Sequence, residues 1–132
     1  MTRFVALFVS SLLWSICSSA QTPTPAAPGI EAIKTILTST PTWLLEWKRP
    51  DGRILGPARI SFRQEGQKFI AILDNPYLGQ CSFEVLVNER GASWPGCEPS
   101  FQKELTLDAT DSKVPFKGRG GPFTYTMRPD TQ

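Results

Sequence analysis

From Thr42 to the C-terminus the chain alternates apolar and polar residues, and turn-forming residues interrupt the alternation about every ten positions. Trp43, Leu45 and Trp47 alternate with Leu44, Glu46 and Lys48, and Arg49-Pro50-Asp51-Gly52 then supplies a hairpin turn. Ala58, Ile60 and Phe62 alternate with Arg59, Ser61 and Arg63 before a turn at Gln64–Gln67. Phe69, Ala71 and Leu73 are interleaved with Lys68, Ile70 and Ile72, so this strand is apolar on both faces, the pattern of a central or covered strand. Asp74-Asn75-Pro76 and Gly79 break it. Cys81, Phe83, Val85 and Val87 form the next inward face, and Asn88–Gly91 make a turn. A short strand around Ala92–Trp94 runs into Pro95-Gly96-Cys97. Phe101–Leu107, Val114–Phe116, and Phe123, Tyr125 and Met127 complete the set, separated by Asp108–Ser112 and Gly118–Pro122.

Seven or eight short strands in sequential order predict an all-β antiparallel meander. A sheet of that size must hide its edges, and closing on itself is the simplest way, so a small β-barrel or strongly curved sheet is expected. Ahead of the strands, Ile30, Ile33, Ile36 and Leu37 fall at helical spacing and predict a short amphipathic helix over Ile30–Leu37, ending before Pro41. Such a helix would plug one end of the barrel or cover one face. The Thr and Ile content of this stretch makes a strand the competing reading.

The first twenty residues follow a different rule. Arg3 is a lone early cation, Phe4–Ile16 is an apolar core interrupted by Ser10, Ser11 and Ser15, and Ser18 and Ala20 sit three and one before a cut site. This is the pattern of a secretory signal, too short and serine-rich to span a bilayer. Ile16 stands where a lipid-attachment signal at Cys17 needs a small residue. Cleavage after Ala20 removes Cys17 and leaves a Pro-rich flexible leader, Gln21–Gly29, before a single domain over residues 30–132. The two remaining cysteines, Cys81 and Cys97, then lie in an oxidising compartment, secreted or periplasmic, and are expected to form a disulfide.

Removing Arg3 with the signal lowers Lys plus Arg from 14 to 13, against 12 Asp plus Glu. A near-neutral surface gives no electrostatic case for nucleic acid or an anionic membrane as partner. Histidine is absent, which removes the commonest general base and the commonest zinc ligand. No metal, cofactor or nucleophile motif is present in the sequence, and no catalytic residue is assigned.

Trp94 and Tyr77 stand beside Pro95-Gly96 and Pro76, in stretches that read as loops, and are the binding residues expected first. The disulfide would bring those stretches together as a rigid aromatic pair. Trp43 and Trp47 share one strand face and read as core. Lys117-Gly118-Arg119-Gly120-Gly121 reads as a basic, glycine-rich loop whose N–H groups and cations suit an anion, although its spacing is not that of a phosphate-binding loop. Asp108–Asp111 reads as a turn held by side-chain hydrogen bonds rather than as a calcium loop. Arg59, Arg63 and Lys68 share an outer face. These features predict a non-enzymatic binding module that engages a protein or glycan partner through loops. A small-ligand carrier using the barrel interior and a small carboxylate-dependent hydrolase are the alternatives.

Overall fold

The computed structural model describes residues 28–97 and 102–131. The signal segment Met1–Ala20, most of the leader and Phe101 lie outside the described residues. Helix α1 (Ile30–Ser39) is followed by β1 (Trp43–Lys48), β2 (Ile54–Glu65), β3 (Lys68–Asn75), β4 (Gly79–Glu84), β5 (Leu86–Val87), β6 (Gly91–Trp94), β7 (Lys103–Leu107), β8 (Phe116–Gly120) and β9 (Phe123–Pro129). All pairings are antiparallel, and the sheet runs β4-β3-β2-β1-β9-β8-β7-β6-β5.

The expected all-β meander is therefore present, and it curls into a nearly closed barrel. β1 pairs with β2 on one side and with β9 on the other, so the first and last strands meet. Across that junction Arg128 donates to Glu46 Oε1 at 3.2 Å. The two free edges, β4 and β5, are one bent stretch of chain with only Val85 between them. Val85 donates its N–H to Phe69 O at 2.7 Å, after which the chain leaves β3 and pairs with β6. The ninth segment thus arises because a single strand changes partners at Val85, where the sequence pattern shows one uninterrupted face.

The β5–β6 ladder ends at Leu86 and Ser93, because the preceding residue, Val85, bonds to Phe69 of β3 instead, and Pro95, with no N–H to donate, follows the end of β6. Gly96 follows with φ 79°, a left-handed conformation that suits glycine. Cys97 then reaches Cys81 on the unpaired side of β4, at bonding distance with Cα atoms 5.7 Å apart. The disulfide closes the seam where hydrogen bonding ends.

Helix α1 plugs one end of the barrel. Its Ile33 and Leu37 are fully buried, and Trp43 donates Nε1–H to Leu37 O at 2.9 Å, so the indole is both packed and satisfied. The helix runs two residues past its predicted end, to Ser39, whose hydroxyl bonds back to Ile36 O at 2.6 Å. Phe62, Phe69, Phe116 and Met127 fill the barrel beneath it. Among the described residues no helix is long and apolar enough to cross a membrane.

Three readings need correction. Trp94 is not in a loop: it ends β6, with its side chain in the core at 1 % exposure. The turn residues Pro95 and Gly96 lie after it, and its phase with Ala92 aims it inward. Lys117–Gly120 is likewise strand, the greater part of β8, and the turn begins at Gly121. Its glycines serve close approach rather than reversal, since a Cβ on Gly118 would collide with the backbone of Glu104 on β7. Finally, Gly79, read as a breaker, opens β4.

Candidate functional site

Among the described residues, no element plugs the end of the barrel opposite α1, which holds a cavity of about 300 Å³. Leu45, Leu73 and Trp94 form its floor, and Trp47, Phe123 and Tyr125 its wall. Trp94 is wedged between Phe62 and Phe83, with ring centroids 6.0 and 6.1 Å away. Trp47 stacks on Tyr125 at 6.3 Å, and Phe123 meets Tyr125 edge-on at 6.4 Å. Burial raises the Tyr125 phenol above its ordinary pKa, so it stays neutral near physiological pH.

Local sequence sets this wall. A bulge in β2 sets Gly56-Pro57 opposite the single residue Glu46 of β1 and shifts the register between Leu45 and Trp47. Gly56, at φ 101°, is required there: a Cβ would sit 2.9 Å from Leu45 O and 3.3 Å from the indole. On β8 the inward positions after Phe116 are Gly118 and Gly120, which lie opposite Tyr125 and Phe123 of β9. With no side chain at Gly120, Tyr125 and Lys103 rest against the strand itself; a Cβ there would be 2.9 Å from each.

Besides Tyr125, the polar side chains of Asn75 and Lys103 line the cavity among the described residues. Asn75, 8 % exposed, accepts from Tyr77 N at 2.8 Å and Leu78 N at 3.3 Å, and so builds the β3–β4 hairpin tip over the mouth. Lys103 is in phase with Leu105 and Leu107 and points inward; its Nζ donates to Pro95 O at 2.8 Å. Leu78 lines the rim, and Tyr77, 61 % exposed, packs edge-on against Trp47 at 6.1 Å.

The expected site residues are thus dispersed. Trp94 is cavity floor and Tyr77 is rim; they share one end of the barrel at different depths, and Tyr77 pairs with Trp47 instead of Trp94. Arg119 points outward from β8 into a shallow cleft beside the mouth, lined also by Lys48, Arg49, Thr124 and the Gly121-Pro122 turn. Lys117 faces outward too, but its Nζ donates to Asp111 Oδ2 at 2.8 Å. That bond, with N–H donation from Val114 and Lys113, holds the Asp111 carboxyl down at about 2, and the same contact raises Lys117. Asp108 is lowered by the hydroxyl and N–H of Thr110. These two carboxylates build the β7–β8 connection, the hydrogen-bonded turn expected there, and among the described residues no cluster with the makings of a metal site occurs. On the outer face Arg59 pairs with Asp130 at 4.0 Å and Arg63 with Glu65.

Lys103, Phe123 and the Gly56 bulge are the site features that sequence reasoning passed over. For Lys103 the signal was available: its alternation with Leu105 and Leu107 puts a lysine on an inward face. Comparison of the chain with protein-family models, with curated proteins and with solved structures finds no match in any of the three.

Proposed function

We propose that the protein is a non-enzymatic binding module of the secreted or periplasmic compartment, and that it takes an apolar group into the open end of its barrel. The observation that carries this reading is the asymmetry of the two ends. One is sealed by Ile33, Leu37 and Trp43, while the other keeps a cavity of about 300 Å³ walled by Trp47, Phe123 and Tyr125. That volume is at the lower end of small-molecule sites, which are typically about 300–1,000 Å³ and mostly apolar with a few polar groups. Asn75 and Lys103 supply the polar groups here. The Met1–Ala20 pattern and the Cys81–Cys97 pair support an oxidising compartment. The carboxylates just described serve turns and ion pairs, and among the described residues none of the side chains lining the cavity is acidic, which favours binding over carboxylate-driven hydrolysis.

The exposed Tyr77 and Leu78 on the rim favour a second form of the same reading, in which the apolar group belongs to a peptide or glycan partner that also contacts the hairpin tip. Titration with 1-octanol, a neutral chain, tests the cavity itself through the three indole N–H signals of the folded domain. The Trp47 and Trp94 signals shift saturably, and Trp43, bonded to Leu37 at the sealed end, does not. No saturable shift, or equal movement of all three, overturns the proposal.

A further inference from the structure

The cavity and the cleft beside it meet at one residue. Phe123 lines both, with the apolar floor of Leu45, Leu73 and Trp94 on one side and the cations Lys48, Arg49 and Arg119 on the other. The strand register explains how the cations gather. Lys48 of β1 lies opposite Thr124 of β9, and Thr124 lies opposite Arg119 of β8, so three neighbouring strands present Lys48, Thr124 and Arg119 in one outward row at the mouth. The β1–β2 turn adds Arg49, which is 3.7 Å from Asp51. Among the described residues neither Lys48 nor Arg119 has an ion-pair partner; Glu104 is registered opposite Arg119 on β7 without forming one.

From this juxtaposition we infer that the ligand is an amphipathic anion: a single medium-length hydrocarbon chain enters the cavity past Phe123, and its carboxylate, or an equivalent anionic head, rests among Lys48, Arg119 and the Thr124 hydroxyl. The inference rests on the cavity reading above and adds the chemistry of the head. Size agrees with it. At roughly 30 Å³ per carbon, close to the share of one water molecule in the liquid, a chain of about eight carbons occupies about 240 Å³. That fits a cavity of about 300 Å³, whereas a two-chain lipid does not. Charge agrees as well. Exposed cations around an apolar opening attract anions over a distance set by ionic strength, and they add selectivity for a charged head more than they add depth of binding.

The test compares octanoate with 1-octanol near neutral pH, by calorimetry, on the native domain and on the Lys48→Ala/Arg119→Ala variant. Both side chains are exposed, so the variant keeps the fold, which circular dichroism verifies. Octanoate is expected to bind the native domain roughly tenfold more tightly than octanol, an advantage that shrinks in high salt and disappears in the variant, while octanol affinity stays unchanged. Octanol binding as tightly as octanoate, or an octanoate advantage that survives both substitutions, overturns the anionic head and leaves the cavity reading standing. Failure of both ligands to bind overturns the two readings together. Weakened octanol binding in the variant also contradicts the inference, since it would show that the cations act on the cavity and not on the head.

Discussion

Replacing both Cys81 and Cys97 with alanine removes the one covalent link across the barrel seam. The two residues are 16 apart in sequence, and in the chain-entropy treatment closing a loop of that length stabilises a fold by about 3 kcal/mol. The position of the link matters as much as its length. The β5–β6 ladder ends at Leu86 and Ser93 and β4 pairs with β3, so between Cys81 and Cys97 no backbone pairing takes the place of the lost bond. At about 4–8 °C per kcal/mol for a domain of this size, the midpoint of thermal unfolding should fall by about 12–24 °C. Urea unfolding of the native and double-alanine proteins, followed by circular dichroism, gives the free energy directly. Amide exchange should locate the damage, with the β3–β4 ladder losing protection while the β1–β9 ladder keeps it. Cys97 also lines the cavity, so octanol affinity should fall in the same variant. A stability loss below about 1 kcal/mol, or protection lost evenly around the barrel, would refute the account of the disulfide as the closure of an open seam.

Trp94→Ala should cost about 3–5 kcal/mol in urea unfolding, because the indole is 1 % exposed between Phe62 and Phe83, and the variant reports on folding before it reports on binding. Gly120→Val places a Cβ 2.9 Å from Tyr125 Cε2 and Lys103 Cγ, so it should lower stability by about 1–3 kcal/mol and abolish octanol binding, as calorimetry can read. Asp111, held at about 2 in the folded protein against 3.8 unperturbed, adds stability that is fully present above the unperturbed value. That stability is lost as pH falls toward about 2, so Asp111→Asn should flatten the acid limb of a stability–pH curve in that window. The Tyr125 phenol, raised by burial, should ionise above the ordinary value of 10.0 in a spectrophotometric titration, and stability tied to it should fall as pH rises beyond that value.

Much of the barrel was legible because its signals are local. Alternation fixed the inward faces of Trp43–Trp47, Ala58–Phe62, Phe69–Leu73 and Phe123–Met127, and the cysteine count pointed to one pair. What was not legible depends on neighbours distant in sequence. The meeting of β1 with β9 is set by register, which no single strand carries. Gly118 and Gly120 read as turn residues because glycine commonly serves turns, and the approach of β7 that demands them exists only in the folded sheet. Trp94 was misplaced by the Pro95-Gly96 that follows it, although its spacing from Ala92 was correct evidence for the core. The site suffered most, because a cavity is a property of what several strands leave empty: Lys48, Thr124 and Arg119 are 76 and 5 positions apart along the chain and side by side across it.

The most direct test of the central claim is the orientation of bound octanoate, read from nuclear Overhauser contacts between ligand and protein. The terminal methyl should contact Leu73 and the Trp94 indole at the cavity floor, and the methylene beside the carboxylate should contact Phe123, within reach of Lys48 and Arg119. Methyl contacts at the sealed end, to Ile33 or Leu37, or confined to the exposed Ile54 and Leu86, would contradict a barrel that is plugged by its helix and binds through its open mouth.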